Sequence, residues 1–303
     1  MKSIREQFGQ TLSDLAKKNK KIVAISCDLR GACKLNTFAK KFPKRFIEVG
    51  IAEANGVGIA SGLALNGFKP FLASFSSFIT GKNIEIRCSI SYNNSPVVII
   101  GTHGGMIGAD GATQSGLQDI SVMRSLPNFH VYQPCSNLET TQIIDHVSKL
   151  DKPAYVRIAR NVIPEFLPKN YKFKFKKLTT IKNGKKIAII SSGPMLYNCF
   201  KAIEKIKDKE KFALLNLSTI KPLNEKQIVQ KLKKFQRIIT VEDHTIEGGI
   251  GSVIAEVMSN SAYAKKIQML GITNKFINSD NPTNLEKKFK LDINNLYKII
   301  NNF

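Results

Sequence analysis

The chain has 303 residues, 43% apolar and 23% charged, which is enough apolar material for two packed cores and too much for a disordered tail. Lys and Arg number 46 against 23 Asp and Glu, a formal charge of +23, yet residues 51–150 hold five basic and six acidic side chains, and only eight of the 46 are Arg. Lysines scattered over helix surfaces, with no Trp and no Arg interleaved with aromatics, argue against a nucleic-acid partner, and no apolar run reaches the ~20 residues needed to cross a bilayer.

Short β-branched runs alternate with longer amphipathic stretches, the pattern of a parallel sheet with helices on its faces. In the first half, strands are expected over 21–26, 45–49, 70–73, 97–101, 130–133 and 154–158, and helices over 3–19, 52–65, 77–92, 117–125 and 137–149. Residues 162–186 carry two prolines, Lys alternating with aromatics, and Asn-Gly, and read as an exposed linker or edge hairpin. A second alternation follows, with strands over 187–191, 212–217, 237–241 and 267–270 and helices over 196–207, 224–234 and 251–259. The expected fold is α/β, with two consecutive open, mostly parallel-sheet domains at 1–165 and 185–303 joined by a linker at 166–184. Five cysteines without a C-x-x-C argue against a disulfide framework or zinc site and fit a reducing cytoplasm. The first fifteen residues lack the apolar core of an export signal.

Four stretches carry candidate chemistry. Residues 49–64, VGIAEANGVGIASGLA, follow a strand and open a helix, which puts Glu53 in the first turn, where active sites of α/β sheets gather and where an acid also simply favours the helix dipole. Gly56, Gly58 and Gly62 lie inside that helix without G-x-G-x-x-G spacing, so they read as close packing and not as a dinucleotide site. Residues 70–78, PFLASFSSF, bring Phe75 and Phe78 to a strand end, where they serve either the core or a flat ligand. Residues 101–116, GTHGGMIGADGATQSG, form a glycine-rich loop after the most apolar strand, long enough to be a binding surface. Arg157 and Arg160, in AYVRIAR, end a strand and suit either a phosphate grip or a surface ion pair.

Taken in order, these stretches resemble the transketolase family of thiamine-diphosphate enzymes. Residues 50–64 are similar to its G-[IV]-x-E-x-x-x-x-x-x-A-x-G-x-A element. The resemblance implies that Glu53 bonds a pyrimidine nitrogen of the cofactor and favours the imino tautomer that deprotonates the thiazolium carbon. It further implies that Phe78, with Phe75 beside it, packs on the aminopyrimidine, and that Asp28, in Ser-Cys-Asp-Leu, is the strand-end acid near the same ring. The loop is similar to G-x-D-G-x-T-H-Q, but Gln114 stands at the expected histidine and Ser115 at the expected glutamine. Gln114 hydrogen-bonds but does not titrate. This leaves His103 as the acid or base, with His103, Asp110 and Gln114 as substrate contacts. The family's P-x-x-x-R-x-x-R segment implies that Arg160, in preference to Arg157, meets a substrate phosphate. His130 and His146 read as structural or solvated, and His244 has no assigned role.

No contiguous Gly-Asp-Gly occurs, so the resemblance leaves this chain without metal ligands and assigns Mg2+ and the diphosphate to another chain. The second alternation, with VEDHTIEGGIG at 241–251, is similar to the family's C-terminal domain, whose expected role is assembly. The implied protein is the C-terminal subunit of a split transketolase-type enzyme, paired with an N-terminal subunit in an α2β2 heterotetramer. It would transfer a two-carbon ketol unit between sugar phosphates. Alternatives are a 1-deoxy-D-xylulose-5-phosphate synthase-like condensation of pyruvate with glyceraldehyde 3-phosphate, favoured by Gly-Ala-Asp-Gly but weakened by the absence of an arginine at Gly81; a ketol transferase of a specialised pathway; a non-catalytic homologue; and, from another class, a nucleic-acid-binding module.

Overall fold

The central β-branched runs fold as strands buried on both faces, which is why they read as unbroken apolar stretches. A computed structural model describes residues 2–273 and 275–303. The strands are β1 (Ile22–Ser26), β2 (Phe46–Glu48), β3 (Lys69–Phe75), β4 (Val98–Thr102), β5 (His130–Tyr132), β6 (Ala154–Ile158), β7 (Thr179–Lys182), β8 (Ile187–Ser191), β9 (Phe212–Asn216), β10 (Thr219–Lys221), β11 (Arg237–Thr245) and β12 (Ile267–Ile272). They form a seven-stranded sheet ordered β10-β5-β6-β4-β3-β1-β2 and a five-stranded sheet ordered β12-β11-β8-β9-β7. Only β10 against β5 and β7 against β9 are antiparallel among these pairings. In the first sheet the chain leaves β1 for β2 and returns to β3 on the other side of β1. The crevice beyond the ends of β1 and β3 is therefore the switch point at which open α/β sheets bind ligands.

Two expectations need correction. Residues Thr179–Lys182, inside the stretch read as a linker, are the edge strand β7. A four-residue strand among lysines gives too short a pattern to stand out from a hairpin. The single helix expected over 77–92 is broken into helices Ser76–Thr80 and Asn83–Glu85, then a π-helical stretch Ile86–Ser91. The break falls at Gly81, after Thr80 has turned its hydroxyl back onto the Ser76 carbonyl (2.6 Å).

The two halves share apolar packing. Ile120, Met123 and Leu126 lie in the same cluster as Leu217, Ile220, Ile250 and Val253 from the second half. β10 also crosses over, contributing the seventh strand of the first sheet. The helix Glu53–Leu65 is apolar nearly all round. It buries Val57, Ala60 and Ala64, while Gly58, Gly62 and Leu65 face outward with open space beside both glycines. Ile51, two residues before that helix, and Tyr92 are each 85% exposed.

Candidate functional site

Glu53 is the first residue of its helix, yet it is only 7% exposed and turns back over the end of β3. There the Ser74 hydroxyl donates to its Oε1 (3.0 Å), and Oε2 has no hydrogen-bond partner among the described residues. β3 runs directly into the helix Ser76–Thr80, which sets Phe75 and Phe78 one turn apart. Their rings stack with centroids 5.2 Å apart and planes at 18°. Both rings are only partly buried, and they follow directly on Ser74, the residue that holds Glu53.

The register of β3 with β4 pairs Phe75 with Thr102. The next residue, His103, adopts a left-handed conformation (φ 59°) and places its imidazole over Phe75, 3.8 Å between centroids. The Arg5 guanidinium reaches it from the first turn of the helix Ile4–Lys18 and donates from Nη1 to His103 Nε2 (3.2 Å) and to the Ala32 carbonyl (2.9 Å). Because arginine only donates, Nε2 is the acceptor and Nδ1 carries the proton, which goes to Thr102 Oγ1 (3.0 Å). The Thr102 hydroxyl in turn donates to the Ser74 carbonyl (3.2 Å). A hydrogen-bonded chain thus runs from Arg5 through His103 and Thr102 to the Ser74 carbonyl, and the Ser74 hydroxyl separately holds Glu53.

This arrangement corrects the expectation that His103 handles protons. Burial, with the Arg5 and Arg160 charges, pushes its pKa down to about 3, and both ring nitrogens are engaged. At neutral pH it is an oriented acceptor, far from the range a general acid or base needs. Arg5 was not legible as a site residue. The available signal was a cation in a helix first turn, against the dipole, in a helix otherwise capped by a Ser3–Glu6 box. Its Nε is buried without a partner, and its pKa is lowered by burial and by the Arg160 charge, which the Glu6 and Asp110 carboxylates only partly offset.

Arg160, at the end of β6, is half exposed and pairs with Asp110 of the 101–116 loop, also donating to the Ile107 carbonyl (3.4 Å). Gln114 is half-buried. Its main-chain carbonyl accepts from Ser77 Oγ (2.9 Å), and its side chain has no partner among the described residues. Asp28 is exposed in a left-handed turn (φ 58°) after β1, with its amide donating to Glu48 Oε1 (2.6 Å).

Arg157 does not belong to this site. It is 1% exposed, gripping Asp119 through Nε (3.0 Å) and Asp243 through Nη1 (2.6 Å), with Nη2 donating to the Gly116 and Asp243 carbonyls. Its donors are spent joining the two halves, which leaves none facing substrate. The nearby thiols are inert: burial, with the Glu53 and Glu48 charges, pushes Cys27 up to about 12, and burial pushes Cys33 to about 11. Among the described residues, no three His, Cys, Asp or Glu side chains converge where a metal ion could be held.

Burial lowers the pKa of all four histidines, taking His103 to about 3 and His130 to about 4 and pushing His146 and His244 down as well. The unfolded chain protonates them below about pH 6.5 and the fold does so only at lower pH, so stability present above that pH is lost as pH falls toward the folded values. Burial raises Glu242 to about 8 and Glu286 to about 6, which opposes this because the fold takes up those protons first. Four groups against two leave the histidines ahead, and the urea midpoint is expected to fall between pH 7 and pH 5. A flat profile would mean the histidines are not held neutral.

Family comparisons agree with this architecture. Residues 1–165 match the transketolase pyrimidine-binding domain, and residues 176–296 match the transketolase C-terminal domain. The chain is 35% identical over 305 residues to a putative transketolase C-terminal section of Methanocaldococcus jannaschii, covering 99% of this chain and 95% of the relative. It is 32% identical to an apulose-4-phosphate transketolase subunit of Phocaeicola vulgatus, covering 96% and 94%. A 33% match to the 1-deoxy-D-xylulose-5-phosphate synthase of Caldanaerobacter subterraneus covers 96% of this chain but 47% of that enzyme. Among solved structures, one described as a split-gene transketolase, inactive beta4 tetramer, superposes with a TM-score of 0.90 at 30% identity, covering 99% of this chain and 97% of the other. Transketolase from Campylobacter jejuni shares the fold, with a TM-score of 0.83 at 21% identity, covering 99% of this chain and 46% of that one. The chain belongs to the transketolase family, with a pyrimidine-binding domain followed by a transketolase C-terminal domain.

Proposed function

We propose that this chain is the cofactor-activating subunit of a thiamine-diphosphate-dependent ketol transferase acting on sugar phosphates. The observation that carries the reading is the buried Glu53 carboxylate, fixed by Ser74 on one oxygen and open on the other, beside the stacked Phe75 and Phe78 rings. These residues fit an aminopyrimidine: a carboxylate to meet a ring nitrogen and an aromatic face to lie against. Thiamine diphosphate, when bound, supplies the nucleophilic carbon that carries a two-carbon unit. Glu53 and Phe78 would hold its pyrimidine, with Phe75 beside them and Asp28 at the edge. Mg2+ and the diphosphate are assigned to an N-terminal partner subunit, and the pair to an α2β2 assembly. The uncovered apolar face beside Glu53 supports a partner chain at this point, as do the names of the relatives of similar length.

Arg5 and Arg160 are read as the substrate's phosphate site, with His103 orienting Arg5 through its Nε2. The buried, unpartnered Arg5 Nε and the mutual repulsion of the two arginines favour a dianion between them. Asp110 and Gln114 line the sugar. Purified with its N-terminal partner, the protein is expected to transfer a ketol unit from a ketose phosphate, whereas this chain alone is inactive. Arg5→Ala and Arg160→Ala should each raise KM for phosphorylated substrates by about tenfold and leave unphosphorylated ones unchanged. Equal losses on both would remove the phosphate assignment. Decarboxylation of pyruvate by the complex, without ketol transfer, would replace this reading with the condensation of pyruvate and glyceraldehyde 3-phosphate.

A further inference from the structure

The loop that carries His103, Asp110 and Gln114 has a second side, and that side rests on the C-terminal half. Met106 is 4% exposed and packs in the same apolar cluster as Ile277 and Leu285, which flank the segment 279–282. Gly105 (φ +92°) and Gly108 (φ +104°) pass so close to the C-terminal half that a methyl group would lie 2.1 Å from Asp243 Oδ2 at the first and 3.0 Å from Pro282 at the second. Ser279 Oγ donates to the Ala109 carbonyl, one residue before Asp110. Just beyond the loop, the Thr245 amide donates to the Leu117 carbonyl (3.0 Å).

From these contacts we propose that residues 279–282 are a clamp that positions the substrate loop, with Ser279 and Pro282 as positioning residues. The clamp's place in catalysis rests on the ketol-transfer reading. The Asp110–Arg160 pair is half exposed and therefore weak by itself. The clamp holds Ala109 from behind, so that Asp110 and Gln114 keep their places when a phosphate takes Arg160. The C-terminal domain thereby sets how substrate is met, while Glu53, Ser74 and Phe78, on other elements, remain indifferent to it.

The test is Ser279→Ala combined with Pro282→Ala, compared with Ser279→Thr, which keeps the hydroxyl. Amide hydrogen exchange of the full chain should show residues 104–116 exchanging about tenfold faster in the double variant, with β3, β4 and β6 unchanged and with Ser279→Thr near the parent. In the complex with its partner, KM for the sugar phosphate should rise about fivefold, with kcat and thiamine diphosphate affinity unchanged. Unchanged exchange in the loop overturns the clamp. Faster exchange with an unaltered KM overturns its positioning role. If the parental complex shows no ketol transfer, the functional reading fails, and the exchange experiment on the chain still decides the clamp.

Discussion

Glu53→Gln in the reconstituted complex is expected to lower kcat by about a thousandfold while leaving assembly and thermal stability close to the parent. The amide keeps the size of the carboxylate and still accepts from Ser74, so packing around the first helical turn survives. It loses the negative charge, and with it the ability to hold a protonated ring nitrogen. Few other outcomes are available to a buried acid whose second oxygen is free. Turnover within tenfold of the parent would take Glu53 out of the mechanism, and a variant that no longer assembled would show that its role is structural.

Arg157→Ala is expected to destabilise the fold by about 3–5 kcal/mol, the cost of stranding buried partners of opposite charge. Burial by itself lowers the pKa of the guanidinium, but the Asp119 and Asp243 carboxylates hold it above its ordinary value, and those carboxylates have little else to neutralise them. Neutralising the whole cluster with Arg157→Met, Asp119→Asn and Asp243→Asn should be milder than the single change, because no ion is then left alone. Arg160→Ala, three residues on, should move stability by less than about 0.5 kcal/mol, since its ion pair is solvated. Urea unfolding of the three variants separates the two arginines. A small loss in Arg157→Ala would mean that the cluster is not what joins the halves.

The apolar runs and the strand-to-helix turn at Glu53 were legible because burial on both faces writes itself into composition. What the sequence withheld is contact between distant residues. Nothing local tells Arg157 from Arg160. The difference is that Arg157 lies on β6 in register with Gly101 of β4 and is buried, whereas Arg160 lies past the strand end. His103 looked like a titrating group because its quenching partner, Arg5, stands 98 residues away. The three-residue β10 carries too little pattern to say that it is a strand, still less that it belongs to the other half's sheet.

That borrowed strand bears on how such chains can be rearranged. A cut between the halves would strip an edge from the first sheet, split a common apolar cluster and leave Asp119 and Arg157 without Asp243. The two domains are therefore expected to unfold as one unit. A 33% match to a synthase about twice as long covers 96% of this chain and so spans both domains.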